Sequence, residues 1–281
     1  MGREVSCRQQ IGDAVLALAP VTLTPRLDAE LLMAHAIGVS REDLLLRRLD
    51  DPAPPGFDGL VARRLTHEPI AYITGSRAFW TIDLAVGPGA LVPRADSETL
   101  IEAALDHFGA TGPATILDLG TGPGTLLLAA LDQWPRASGV GIDRSAGALA
   151  MAGANARRLG LADRVTLQLG DWFAPGDWAG ALARRFDLVL ANPPYIGTEE
   201  ALTIEVQMHE PASALFGGAD GLDAYRAILP ALPRLLSPGG IAVLEIGHRQ
   251  ADAVTTLAQQ AGLAATMRRD LGGRPRALLL S

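Results

Sequence analysis

Between Thr115 and Leu169 the chain repeats one pattern, a short apolar run followed by a polar turn and a helix-length stretch. The runs are Thr115-Ile-Leu-Asp118, Gly139-Val-Gly-Ile-Asp143 and Arg164-Val-Thr-Leu-Gln-Leu169; the segments from Thr125, and from Ser145 to Leu159, read as helices. Strands joined by helices in this way pair side by side only if each helix crosses back over the sheet. The pattern therefore commits this part of the chain to a parallel sheet with helices on both faces, an α/β fold. Phe186-Asp-Leu-Val-Leu-Ala191 supplies a fourth buried strand, and Gly240-Ile-Ala-Val-Leu-Glu-Ile246 a fifth after a helix expected over 220–236. Late strands are expected over 264–268 and 276–280. Ligands of such sheets bind beyond the carboxyl ends of the strands, so the residues just past each run are the candidates for function.

Past the first run lie Gly120, Thr121, Gly122, Pro123 and Gly124. Glycines there let the backbone approach a ligand, and the helix start that follows favours a negatively charged group. The spacing is G-x-G-x-G, not the G-x-G-x-x-G of dinucleotide folds, which favours S-adenosylmethionine over NAD. Asp143 ends the second run, where a carboxylate can accept hydrogen bonds from both ribose hydroxyls; the alternative is a helix cap beside Ser145. Asp171 and Trp172 follow the third run and set an acid and a flat ring where an adenine amino group and base would arrive; the alternative for Trp172 is core.

Asn192-Pro193-Pro194-Tyr195 follows the fourth run. Each proline fixes its φ, lacks an N–H and holds the preceding residue extended, so the corner is stiff. Asn192 offers a donor and an acceptor, and Tyr195 an aromatic wall; the plainer reading is a proline turn that ends a strand.

The N-terminal third has a different character. Helices are expected from Val5 to Ala19, from Thr24-Pro25 to a stop at Gly38, from a capping sequence at Ser40-Arg-Glu-Asp43, and through Phe57, Leu60, Val61 and Leu65. The arginine pairs 47–48 and 63–64 are expected on the solvated face of this bundle. Phe79 to Val86 alternates as a strand, with Ala90-Leu-Val92 as its expected hairpin partner, and Asp96 or Ser97 is expected to cap a helix reaching Phe108.

The net charge of −7 and pI near 5.2 have the wrong sign for affinity built on duplex phosphates. All 24 basic residues are Arg, and the single cysteine, Cys7, excludes an intramolecular disulfide and a cysteine zinc site. A reducing cytoplasm fits, and no run reaches the length of a membrane span. Met1-Gly2-Arg3-Glu4-Val5-Ser6 matches a myristoylation pattern, but one short enough to arise by chance, with nothing polybasic after it.

Further motifs are Arg26-Leu-Asp-Ala-Glu-Leu-Leu32, Glu68-Pro-Ile-Ala-Tyr-Ile73, Val92-Pro-Arg-Ala-Asp-Ser-Glu98, Glu210-Pro211, Gly217-Gly218 with Asp220-Gly-Leu222, and Glu245-Ile-Gly247. With the glycine turn and the Asn-Pro-Pro-Tyr corner, they make the chain resemble, nearly end to end, the release-factor glutamine methyltransferases of the HemK/PrmC type. The resemblance implies a Rossmann-like S-adenosylmethionine-dependent methyltransferase sheet at 94–281, preceded by a helical substrate-recognition bundle at 1–75 and a hairpin linker at 76–93. It implies that Gly120 to Gly124, Asp143, Trp172 and Asn192 hold the cofactor; Asp171 joins them as cofactor-binding from its place after the third run. Asn192, Pro193, Pro194 and Tyr195 would hold the substrate glutamine, with Asn192, Pro193 and Tyr195 catalytic and no metal. The substrate so implied is the glutamine of the Gly-Gly-Gln tripeptide in peptide-chain release factors, methylated on its side-chain nitrogen by a cytoplasmic monomer. Pro123 stands where the family often has Thr, and Ala95 where it usually has Pro. Three alternatives remain open at this point: a ribosomal-protein glutamine, an exocyclic amine in nucleic acid, or a scaffold without turnover.

Overall fold

A reciprocal cap starts helix α1 (Cys7–Leu18): the Ser6 hydroxyl accepts from Gln9 N, and the Gln9 side chain accepts from Ser6 N. The expected start at Val5 therefore moves inward. Helix α2 (Pro25–Ile37) begins on its proline and ends at Gly38 in the left-handed region. Thr24 does not cap it; the Thr24 hydroxyl donates to Asp28 Oδ1 instead, at 2.9 Å. Ser40 caps α3 (Arg41–Asp43) through Asp43 N, and the chain continues into a π-helical turn at Leu44–Arg48. Helices α4 (Phe57–Leu65) and α5 (Ile70–Thr74) complete a bundle whose core includes Leu18, Leu32, Met33, Leu44 and Phe57.

Arg64 departs from the solvated position expected of it. It shares the buried face of α4 with Phe57 and Val61, at helical spacing, and is 4% exposed. Its Nε donates to Asp28 Oδ2 at 2.8 Å, and its Nη1 lies 2.7 Å from Glu205 Oε2. Arg63 stays on the outside and pairs with Glu68.

Strands β1 (Ser76–Phe79) and β2 (Ile82–Ala85) form a two-stranded sheet. The hairpin thus falls inside the stretch expected to be one strand, and residues 90–92 form none. The turn bends at Trp80, whose φ of 55° is a conformation that Gly or Asn usually supplies, so nothing local announces it. Trp80 is held from outside the hairpin, by its N–H on Glu98 Oε1 and its indole on Gln133 Oε1. A 3-10 turn at Ala95–Ser97 leads into α6 (Glu98–Phe108), and neither Asp96 nor Ser97 caps that helix with its side chain.

The alternating pattern folds as expected: β3 (Thr115–Leu119), α7 (Thr125–Gln133), β4 (Ser138–Asp143), α8 (Ala146–Arg158), β5 (Val165–Leu169) and β6 (Phe186–Ala191). After β6 come two short helices not anticipated from sequence, α9 (Ile204–His209) and α10 (Ala212–Leu215). The helix expected over 220–236 is interrupted. It becomes α11 (Asp223–Ile228), a 3-10 turn at Leu229–Ala231 and α12 (Leu232–Leu235), because Pro230 and Pro233 each remove a helical donor. Strand β7 (Leu236–Glu245), helix α13 (Ala251–Gln260), β8 (Ala265–Arg269) and β9 (Pro275–Leu280) follow.

The main sheet has seven strands in the order β5-β4-β3-β6-β7-β9-β8. The first five run parallel, whereas β9 is antiparallel to both of its neighbours. The chain moves outward from β3 to β5 and then returns to β6 on the other side of β3. That reversal opens a crevice beyond the ends of β3 and β6.

The computed structural model describes residues 5–174 and 176–281; the first four residues of the myristoylation pattern lie outside them. The chain divides into two compact units, Met1–Ser76 with Leu202–His209, and Arg77–Ala201 with Glu210–Ser281. Residues 202–209, expected in the sheet domain, therefore group with the helical unit, where Glu205 meets Arg64. Among the described residues no helix is long and apolar enough to cross a membrane.

Candidate active site

Strand register lines up the site. Ile142, Leu119, Ala191 and Leu244 are matched across β4, β3, β6 and β7. The residues that follow them are Asp143, Gly120, Asn192 and Glu245, so four distant parts of the chain meet in one row.

The glycine turn is folded back onto the end of β4. Gly120 N and Thr121 N both donate to Ile142 O, at 2.8 and 2.9 Å, and Gly122 N donates to Asp143 Oδ2 at 2.9 Å. Gly120 has a φ of 74°, and a Cβ there would lie 3.1 Å from the Trp172 ring, so a side chain would crowd both backbone and indole. Asn155 pins the turn from below. This fully buried residue of α8 donates from Nδ2 to Pro123 O and Ala85 O, both at 2.9 Å, and accepts from Ala85 N at 2.8 Å. The sequence reading missed it. Its signal was an amide on the face that α8 otherwise fills with Ala148, Ala152 and Ala156.

Asp143 completes the turn: its Oδ1 accepts from Ser145 N at 2.8 Å while Oδ2 holds Gly122. The helix cap is Ser145, whose Oγ accepts from Ala148 N at 3.2 Å. Asp118 lies beneath, 1% exposed. Its Oδ2 accepts from Thr121 Oγ1 and Leu127 N, whereas Oδ1 is buried with no partner among the described residues. Burial pushes the Asp118 carboxyl up to about 7 against the pull of those two hydrogen bonds.

A cleft whose empty space, open solvent included, is about 670 Å³ lies above this row, lined among others by Gly120, Gly122, Asp143, Trp172, Asn192 and Pro194. The Trp172 indole N–H is buried with no hydrogen-bond partner among the described residues. Thr121 and Pro123 line a second recess of about 400 Å³ that shares Gly120, Gly122 and Asn192 with the first and adds Asp118, Arg94 and Ser97. Gly124 lines neither and serves as the left-handed start of α7. Asp171 is not brought to the cleft; its Oδ1 accepts from Phe173 N at 2.9 Å and it borders a neighbouring hollow.

The proline corner is built differently from its expected form. Pro194 faces the cleft, but Pro193 and Tyr195 do not line it. Tyr195 packs against the sheet core, its hydroxyl 3.4 Å from Glu245 Oε1, and burial holds its phenol above the ordinary range. The Tyr195 carbonyl accepts from Gln250 Nε2 at 2.9 Å. Asn192 Nδ2 donates to Ser97 Oγ at 3.2 Å, and Ser97 in turn donates to Glu245 Oε2. Ser97 and Glu245 are 2% and 1% exposed. Arg94 pairs with Glu210, whose side chain is fully buried. Ser97, Arg94, Glu210 and Glu245 all belong to motifs visible in the sequence, but only the fold shows that they brace Asn192 and its surroundings.

Residues 12–75 match the family model described as the PrmC N-terminal domain, and residues 111–267 that of a methyltransferase domain. The release factor glutamine methyltransferase of Rhodospirillum rubrum is 45% identical over 261 residues, 91% of this chain and 78% of the relative. That of Moorella thermoacetica is 41% identical over 263 residues, 92% of this chain and 91% of the relative. A solved methyltransferase from Pyrococcus furiosus has the same fold at 17% identity, with a TM-score of 0.52 over 78% of this chain and 95% of that one. Identity of this order across both units, joined to a methyltransferase-domain match over more than half of its length, shows that the chain belongs to the release factor glutamine methyltransferase family.

Proposed function

We propose that this protein transfers a methyl group from S-adenosylmethionine to the side-chain nitrogen of the glutamine in the Gly-Gly-Gln tripeptide of peptide-chain release factors. One observation supports the reading: Asp143, Trp172 and Asn192 line one cleft at the reversal point of the sheet, a set suited to ribose, adenine and the substrate amide. The lining fits the cofactor. Each Asp143 oxygen accepts one backbone N–H and keeps a lone pair for a ribose hydroxyl. Trp172 offers a flat ring suited to adenine. Gly120 and Gly122 leave backbone exposed to a close ligand. Asp171 is left out of this set.

S-adenosylmethionine, when bound, supplies an electrophilic methyl group on sulfur. The substrate side needs aiming, because a carboxamide nitrogen delocalises its lone pair into the carbonyl and is a weak nucleophile. Asn192 Oδ1, turned away from Ser97, accepts one N–H of the substrate amide; Pro193, whose carbonyl the motif offers for the other, lines neither recess. The nitrogen is thereby held toward the cleft, and the acceptor on its hydrogen stabilises the positive charge that develops there. The extra proton of the methylated amide passes to water. Tyr195 acts from behind, by bracing the corner. A net charge of −7 supports a protein partner over nucleic acid, and we infer a cytoplasmic monomer that grips this partner with the helical unit.

The test is mass spectrometry of a recombinant release factor after incubation with the protein and S-adenosylmethionine. A single added methyl on the glutamine of the tripeptide is expected. An unmodified tripeptide, or methyl on another residue, would overturn the reading.

A further inference from the structure

We propose that Ser97 and Glu245 form a positioning relay that decides which end of the Asn192 amide faces the cleft. The proposal rests on the reading of Asn192 as the acceptor for the substrate amide. A carboxamide has nearly the same shape either way round, so sterics alone do not choose between presenting Oδ1 and presenting Nδ2. Hydrogen bonding does choose. Ser97 has one proton, and it donates it to Glu245 Oε2. The Ser97 oxygen is then an acceptor toward Asn192, which must answer with Nδ2, as it does at 3.2 Å. Oδ1 is left for the cleft. A flipped amide would set a donor against the N–H groups of the substrate and lose the interaction that aims the nitrogen.

The relay depends on Glu245 remaining an acceptor. Tyr195 O–H also donates to it, at Oε1, and Tyr225 O–H donates to its backbone oxygen. Arg276 stabilises the carboxylate from β9, itself held by Asp96 at 2.9 Å and Asp270 at 3.3 Å, and Asp96 opposes it. Burial is the largest influence and pushes Glu245 up to about 7. The group is therefore protonated as pH falls through that region. Protonated Glu245 can donate to Ser97, which frees the Ser97 proton for Asn192 Oδ1 and turns the amide round. The productive orientation belongs to the ionised form and is lost toward acid.

Single-turnover methylation of the release factor at saturating S-adenosylmethionine, from pH 5 to 9, tests the relay. Ser97→Ala should slow the step by roughly tenfold or more, the scale of a lost orienting contact, with cofactor affinity unchanged. Ser97→Thr, which keeps the hydroxyl, should recover most of the rate. Ser97→Ala should cost nothing further in an Asn192→Ala background, and it should flatten the fall in rate that the parent shows below about pH 7. Asn192 side-chain amide resonances, followed by NMR in protein labelled at asparagine nitrogen, should move with pH through the same window in the parent and stay still in Ser97→Ala. A parent that leaves the release factor unmethylated would sink the functional reading while the NMR titration still decides the relay. A Ser97→Ala variant as fast as the parent, additive losses with Asn192→Ala, or an Asn192 amide blind to pH would each overturn it.

Discussion

Asn155→Ala should be among the most damaging single changes in the sheet unit, although Asn155 lines neither cavity of the candidate site. The change removes three hydrogen bonds, two to the Ala85 peptide and one to Pro123 O, each between 2.8 and 2.9 Å. At about 1 kcal/mol net apiece, that is ~3 kcal/mol, and a buried carbonyl left without a partner adds a desolvation penalty, for a total of about 3 to 5 kcal/mol. Pro123 sits between Gly122 and Gly124, so the same change loosens the glycine turn and weakens S-adenosylmethionine binding. Asn155→Asp should be worse. It keeps an acceptor for Ala85 N but turns a buried negative oxygen toward the carbonyls of Ala85 and Pro123. Urea unfolding of the full chain, read on the transition of the sheet unit, measures the loss, and calorimetry with S-adenosylmethionine measures the effect on the turn. An alanine variant within about 0.5 kcal/mol of the parent, the range of an ordinary surface change, would refute the pinning role, and so would an aspartate variant more stable than the alanine one.

Asp143→Ala should weaken S-adenosylmethionine binding by about 1–3 kcal/mol in calorimetry, since it removes both a charged acceptor and the anchor of Gly122; unchanged affinity would contradict the ribose assignment. Arg64→Ala should destabilise the helical unit by about 3–5 kcal/mol, because it leaves Asp28 buried without its cation; a melt that does not shift would mean this ion pair is idle. Asp118→Asn keeps the acceptor for Thr121 and Leu127 and replaces the orphan Oδ1 with a neutral group. The Asp118 carboxyl is raised from 3.8 to about 7 in the folded state, so the native protein holds its proton above the pH at which the unfolded chain releases it. Its contribution is therefore complete below 3.8 and lost as pH rises through about 7. Relative to the parent, Asp118→Asn should gain stability across that window in urea titrations and level off above it; a pH-independent difference would mean the carboxyl is not held protonated.

The parts of the molecule that were legible in the sequence are those whose signal is local. The fully buried run Leu188 to Ala191 reads as a sheet interior, and the alternation from Thr115 to Leu169 fixes parallel crossovers. What failed was settled by partners elsewhere in the chain. Trp80 turns a hairpin because Glu98 and Gln133 hold it, not because its own residue type prefers a positive φ. Arg64 is buried because Asp28 and Glu205 meet it, although the spacing from Phe57 and Val61 had placed it on the inner face. The candidate site follows the same rule. Gly120, Gly122, Asp143, Trp172 and Asn192 were identified as strand-end residues and share the cleft, whereas Asp171 and Tyr195 occupy strand-end positions too and point elsewhere. Position along the chain says which residues arrive at the end of the sheet. It does not say which way each side chain turns once there.

Register supplies the missing link between stability and chemistry. Asn192 reaches Ser97 because Ala191 is matched to Leu119 on one side and to Leu244 on the other. A slip of β6 by one residue would carry Asn192 about 3.3 Å along the strand and send each side chain of β6 to the opposite face. The slip is blocked by burial, since Leu188, Val189, Leu190 and Ala191 are all at 0% exposure and are packed from both sides of the sheet. Their exchange between faces would open cavities and overpack their neighbours at once. The same apolar contacts that stabilise the sheet therefore hold the Asn192 amide against its relay, and a core substitution in β6 far from the cleft should act on turnover through register before it unfolds the chain.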